Sequence, residues 1–296
     1  MEIIVNKHGK GKLATKTCFS DEFGFNVASV IVMGKKECIV VDCQWTLANA
    51  YRVTAEIIDS QLELKAIFAT HSHPDHYWGM GYMQQAFPKA KCYMLPEDLN
   101  LYNHQYQAKL DEWEPIMGKN NLCRKQAENI IPLDTGYLEL EGEKIEVFDH
   151  VMGDYRWNSV VWIPSIKTMY GSDVLFNQAH PFTCEVTAPQ RAQWIADIEK
   201  MEKYGAEVVI PGHQKEGCLF DGSAYKYTKD YLIATEEELA NTKDAASFFY
   251  NMVKRFPGSS LIMYSNEMNA EVWKGGRPWD WVLDTVETPA INPLKG

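Results

Sequence analysis

The run Ala69-Thr70-His71-Ser72-His73-Pro74-Asp75-His76-Tyr77-Trp78-Gly79 closes an apolar segment, residues 64–69, and decides how the rest of the chain is read. Three imidazoles and a carboxylate fall within positions 71–76. Neutral imidazole and ionised carboxylate are the ligands that zinc and its neighbours take, and a loop leaving a buried strand can aim several at one point. Pro74 stiffens the turn. A His-rich surface loop is the bland alternative, but three of the eight histidines gathered beside an aspartate weigh for a metal site.

Composition sets the limits around this motif. A chain of 296 residues can bury a sizeable core, as one large domain or two small ones. Hydrophobic residues at 46% and charged residues at 23% are ordinary for a soluble globular protein. The formal charge of −11 and the lack of any Lys/Arg run argue against a nucleic-acid partner. Residues 1–8 lack a basic segment followed by an apolar one, and no stretch approaches the length of a membrane span. Seven cysteines, an odd number without a C-x-x-C pair, fit a reduced cytoplasmic compartment. Cys218, five positions past His213, could approach a metal, although a buried structural thiol is the commoner case.

Working outward, residues 27–33 and 37–43 are rich in Val and Ile and flank Gly34-Lys35-Lys36, which predicts a hairpin of buried strands. Leu47, Ala50, Tyr51, Ala55, Ile58 and Leu62 recur at helical spacing, and residues 64–69 return to strand. Strand, helix, strand and ligand loop make an α/β layout. Residues 77–87 read as a helix stopped by Pro88, and 90–95 as a strand. Residues 97–131 mix Leu99, Tyr102, Tyr106, Leu110, Trp113 and Met117 with polar residues, predicting one or two helices over the strand ends. This insertion is either a lid or an ordinary helix on the sheet edge. His104 within it reads as a surface residue.

Strands are expected at 144–151, 159–163 and 168–170, with Pro164-Ser165-Ile166-Lys167 as a turn. A helix at 189–204 has Pro189 in its first turn and Gly205 after its end, and a strand at 207–210 delivers Pro211-Gly212-His213. The second half thus repeats the first in kind, without a repeat in sequence. Helices follow at 227–240 and at 245–256, the latter capped by Asp244 and stopped by Pro257-Gly258. Trp273, Trp279 and Trp281 lie in a tail where they either line a pocket or staple the tail to the core, stapling being the simpler reading. The expected organisation is one domain over 1–224, with 97–131 inserted, and a helical cap over 225–296 packed on it.

The H-x-H-x-D-H pattern of residues 71–76 resembles the signature of the metallo-β-lactamase-fold hydrolases. The resemblance implies a four-layer αββα sandwich with metal at one rim. It implies a first site from His71, His73 and a third His, and a second from Asp75, His76 and a late His, with an Asp bridging both. Asp173, in Tyr170-Gly171-Ser172-Asp173-Val174-Leu175-Phe176, matches the bridging residue, and His213, after Val208-Val209-Ile210-Pro211-Gly212, matches the late ligand. Asp42 ends a strand where the family places a carboxylate that orients a ligand imidazole, though a turn Asp would look the same. The chain departs from the pattern at the third His. The family spacing lands on Asp154 in Met152-Gly153-Asp154-Tyr155, and His150 is the alternative. A carboxylate there is similar to the alkylsulfatase branch, although Asp173 keeps the usual bridging Asp. It would also weaken the Lewis acidity felt by bound water and shift preference toward Mn or Fe.

The resemblance therefore implies two divalent ions, zinc first and Fe or Mn next, and a metal-bound hydroxide attacking an ester, lactone, thioester or related small molecule. Asp75 is placed to steer a proton to the leaving group, and Tyr155, His180 and Trp113 are candidates to touch substrate. Rival readings are an alkylsulfatase-like sulfate ester hydrolase and a non-haem iron oxidoreductase built on His71, His73 and Asp154. A metal-stabilised binding module fits least, because structural zinc sites are normally Cys-rich and closed.

Overall fold

The computed structural model describes residues 1–6, 13–279 and 289–296. The first sheet holds β1 (Glu2–Asn6), β2 (Ala14–Phe19), β3 (Ala28–Met33), β4 (Glu37–Val41), β5 (Glu63–Phe68), β6 (Lys91–Met94) and β7 (Ile131–Pro132), in that spatial order. Its first four strands run antiparallel to their neighbours, and β4 to β7 are parallel; α1 (Leu47–Ser60) joins β4 to β5, and α2 (Pro74–Tyr77), inside the motif, and α3 (Met80–Ala86) join β5 to β6. The second sheet takes β8 (Tyr137–Leu140), β9 (Glu143–Val151), β10 (Asn158–Ile163) and β11 (Thr168–Tyr170) as an antiparallel series. Next along the chain, β12 (Phe176–Asn177) pairs with the later β14 (His213–Gln214), while β13 (Val208–Ile210) joins β11 in parallel.

Alternation along the strands builds the layers. In β3 and β4, Val30, Val32, Ile39 and Val41 face Val147, Val161 and Ile210 of the second sheet, forming the inner core. Ile31, Cys38 and Val40 point the other way, onto Val53 and Ile57 of α1. Both faces of these strands are buried, which explains their unbroken apolar sequence. On the far side, Val160, Trp162 and Val209 pack against Trp194 and Ile198 of α5 (Ala188–Glu202) and Tyr225 and Leu232 of α6 (Ser223–Asn241). The result is the expected four-layer αββα sandwich, with α7 (Ala245–Arg255) and α8 (Glu267–Lys274) packed on α6.

Several expectations shift in detail. The helix at 77–87 is two pieces with Gly79 at the break, where a Cβ would lie 1.9 Å from the Cys43 carbonyl oxygen. Residues 97–131 hold one helix, α4 (Pro96–Met117), which Gly118 ends at φ 82. Strands β1, β2 and β8 had no clear signal. Residue 225, the expected start of the cap, lies inside α6, which itself covers the second sheet. Trp273 belongs to α8 rather than to an irregular tail; its indole N–H donates to the Thr183 carbonyl at 3.1 Å and Arg191 sits over its ring. Trp279 instead lines a cavity, and Trp281 lies outside the described residues. No helix among the described residues is long and apolar enough to cross a membrane.

Candidate metal centre

The ends of β4, β5, β11 and β13 open onto one rim of the sandwich, and the polar side chains predicted for the site gather there. Ligand-type atoms of His71, His73, Asp154 and Asp173 lie within 4.8 Å of one another, and so do those of Asp75, His76, Asp173 and His213. Asp173 belongs to both groups. Its carboxylate is 3.1 Å from His76 Nε2, 3.0 Å from His213 Nε2 and 3.6 Å from His71 Nε2. His213 can come this close because Gly212 lacks a side chain: a Cβ there would stand 2.2 Å from Asp173 Oδ1.

Backbone and buried polar groups fix how each imidazole points. Asp42, at the end of β4 and fully buried, accepts from the Thr70 N–H (2.8 Å), the Thr70 hydroxyl (2.9 Å), the Tyr170 hydroxyl and His76 Nδ1 (2.7 Å). That leaves His76 Nε2 facing Asp173. His213 donates through Nδ1 to the Phe25 carbonyl at 2.6 Å and stacks on Phe176, which turns its Nε2 inward. His73 presents Nδ1 to Asp154 at 3.0 Å and Nε2 to Glu185 at 3.5 Å. Thr70 also meets the Ser172 hydroxyl at 2.6 Å, tying the loop after β5 to the one after β11.

The cluster's electrostatics are those of a charge-sharing site. Burial would raise the Asp173 carboxyl, but His213 and His76 reverse this and hold it well below the usual carboxylate range. Burial likewise opposes charge on His73, yet Asp154 and Glu185 lift it to about 10. Burial pushes Asp154 up to about 7 against the pull of His73. His71, crowded by burial and by His76, is driven well below the usual imidazole range. Buried His71 Nε2, His76 Nε2 and Asp173 Oδ1 face one another across the cluster without a well-aligned hydrogen bond. Four imidazoles and three carboxylates with inward-facing orphan atoms are a donor set that fits two divalent cations.

Not every predicted residue joins the cluster. His150 faces Asp149 (3.2 Å) and Glu97 (3.6 Å), so the structure brings Asp154 and not His150 beside His73. His180 is turned away, paired with the Tyr231 hydroxyl at 3.0 Å and pushed by burial down to about 4. Tyr155 is buried with its ring 5.7 Å from that of His73 but does not line the cavity. Neither lines the cavity, so the structure does not place them as substrate contacts. Trp113 does line the cavity. Cys218 stands apart, its thiol 3.8 Å from the Asn177 carbonyl, and exposed His104 pairs with the Asn100 carbonyl of its own helix. Sequence reasoning missed Glu185, which sits in an irregular stretch without a motif, and the Phe25 carbonyl, a backbone group that no residue pattern announces.

Above the cluster opens a cavity with aromatic walls from Phe25, Trp45, Trp113, Phe182, Tyr264 and Trp279. Lys109 and Glu112 of α4 and Glu185 add charge near its floor. Here α4 and the chain around α8, far apart in sequence, meet over the site.

Comparison with known proteins agrees with this fold. The crystal structure of DIM-1 metallo-beta-lactamase is 22% identical with a TM-score of 0.57, covering 79% of this chain and 98% of that one. A metallo-beta-lactamase from Pontibacter korlensis is 18% identical at 0.58 (78% and 99% covered). FIM-1 from Pseudomonas aeruginosa, in its mono-zinc form, is 16% identical at 0.55 (79% and 96% covered). At these identities the likeness speaks for the fold. The sequence model of the metallo-beta-lactamase superfamily matches residues 22–213, from the loop carrying Phe25 to the last histidine of the cluster. Together with the candidate metal site this supports a metal-dependent hydrolase in general. With its fold, its clustered histidines and two thirds of its length accounted for in this way, the chain belongs to the metallo-beta-lactamase superfamily.

Proposed function

We propose that the chain hydrolyses a small-molecule ester, lactone or thioester with two divalent cations, one held by His71, His73 and Asp154, the other by Asp75, His76 and His213, with Asp173 serving both. The observation that carries this reading is the pair of four-residue groups sharing Asp173 on the floor of one cavity. Cations bound there supply a water acidified from a pKa of about 16 to about 7 and a positive pole for the substrate's carbonyl oxygen. The residues do the rest. Asp42 and the Phe25 carbonyl hold the tautomers of His76 and His213. Glu185 does the same for His73, leaving Nδ1 toward Asp154. Asp75 lines the cavity with an oxygen 3.5 Å from His213 Nε2, placed to take a proton and return it to the leaving group. The aromatic walls exclude bulk water.

Zinc is the first expectation, and the carboxylate at 154 extends the choice to Mn or Fe and keeps sulfate esters as a second hydrolytic reading. His71, His73 and Asp154 alone would suit an iron oxidoreductase, but the second group of donors favours hydrolysis. Cysteines without disulfide partners support a reducing, cytoplasmic location, and the acidic chain supports a small-molecule partner rather than nucleic acid or membrane. The test is metal analysis of protein purified without added metal, joined to turnover of esters, lactones, thioesters and alkyl sulfates before and after chelation. Two ions per chain and chelator-sensitive ester or lactone hydrolysis are expected. A single iron with oxygen consumption would replace the reading.

A further inference from the structure

We infer that the substrate is uncharged and carries a flat aryl group, which stacks in the ring cage around Phe25; this rests on the hydrolase reading above and names its substrate class. Phe25 lies 4.1 Å from Trp45, 5.7 Å from Trp113 and 4.8 Å from Tyr264 between ring centroids. All four rings line the cavity. Phe25, Trp113 and Tyr264 are only half-buried, so ring surface is left for a ligand.

The cage is held before any ligand arrives. Phe25 takes a left-handed conformation (φ 66), its N–H bonded to the Glu22 carbonyl at 3.0 Å. The Glu22 side chain in turn accepts the Leu261 N–H at 2.9 Å, pinning the segment that bears Tyr264 to the loop that bears Phe25. Leu261 (φ 62) opens a π-helical turn, Ile262–Asn266, which carries Tyr264 on the cavity wall. A rigid wall of rings binds a flat rigid ligand at low ordering cost.

Charge narrows the class. Lys109 is the one Lys or Arg along the cavity among the described residues. Its ammonium already donates to the Ser72 carbonyl at 2.9 Å and sits in the field of Glu185, Asp75 and Glu112. Away from the cation-binding floor, a carboxylate on the substrate would meet Glu112 and Glu185, while the ammonium of Lys109 is already engaged. The lining carboxylates thus favour a neutral aryl ester or aryl-fused lactone over a β-lactam bearing its usual carboxylate.

The experiment measures binding to the metal-loaded protein of three probes that cannot be hydrolysed: 2-naphthylmethanol, naphthalene-2-sulfonate and 1-decanol. Naphthylmethanol is expected to bind roughly tenfold tighter than either other probe. Trp113→Leu and Tyr264→Leu, each checked for folding by thermal melting, should each weaken it by about fivefold while leaving decanol within about twofold. Equal binding of the sulfonate or of decanol, or unchanged naphthyl binding in both folded variants, overturns the assignment. Turnover is read apart from binding, with dihydrocoumarin and benzylpenicillin. Naphthyl preference without any hydrolysis sinks the hydrolase reading and keeps the aryl site. Hydrolysis of penicillin at least as fast as of dihydrocoumarin overturns the neutral class.

Discussion

Asp42 receives hydrogen bonds from Thr70, His76 and Tyr170 while fully buried in a left-handed backbone conformation, φ 61. Replacing it by alanine strands four donors at about 1 kcal/mol or more apiece, so Asp42→Ala should lose roughly 4 kcal/mol of stability in urea unfolding. Metal titration of the same variant should show affinity down by roughly 10- to 100-fold, because His76 loses the partner that sets its tautomer. Unchanged metal affinity would mean that Asp42 serves the fold alone. Asp154 is the residue at which this chain leaves its family's pattern. Asp154→Ala should lose one of two metal ions, the group of Asp75, His76, Asp173 and His213 staying at least partly filled. An anionic ligand makes bound water less acidic, so Asp154→His loaded with zinc should reach its active form at lower pH than the parent. Unchanged stoichiometry and activity in the alanine variant would remove Asp154 from the site.

Elements far from the cluster carry their own tests. Helix α5 starts with a reciprocal capping box, Thr187 and Gln190 each bonding the other's end of the turn. Thr187→Ala should cost about 1 kcal/mol in chemical unfolding and leave metal content untouched. At the other end of the chain, the Asp149 carboxylate accepts the N–H groups of Ile291 (2.7 Å) and Asn292 (2.8 Å), strapping the C-terminal segment to the second sheet. Burial would raise this carboxyl, but His150 and those two N–H groups pull it below its usual value. The folded pKa thus lies below the unfolded one, so the strap's contribution is complete above about pH 4 and fades as pH falls through the depressed value. Amide exchange at Ile291 and Asn292 should accelerate in that acid window, and at neutral pH in Asp149→Ala. Exchange that is slow in both would show the strap held by other contacts. The length of α4 was hidden because Pro115, normally a breaker, falls in the last turn, and Gly118 does the stopping.

Across the molecule, the parts legible in the sequence were those in which one physical signal had one meaning. A short apolar run followed by a polar ligand-type residue gave the strand ends that carry His71, Asp173 and His213, and unbroken Val/Ile runs in β3 and β4 reported burial on both faces. What escaped was anything made by meeting rather than by spacing. Glu185 reaches His73 from an irregular stretch, and Phe25 acts through a carbonyl and through rings contributed by Trp113 and Tyr264. His180, near a ligand loop in sequence, lies off the cavity with its Nδ1 on the Tyr231 hydroxyl. Because the cluster joins loops from both sheets, ions bound there should tie the halves together. At a free-ion level of about 1,000 times Kd such binding adds about 4 kcal/mol, so chelation should lower the melting temperature reversibly. The most direct measurement is anomalous scattering at the zinc edge from crystals of the zinc-loaded protein. Two peaks are predicted, one about 2.0–2.3 Å from atoms of His71, His73 and Asp154, the other equally near Asp75, His76 and His213, with Asp173 touching both. No peak in the cluster, or a first peak that leaves Asp154 for His150, would contradict the account.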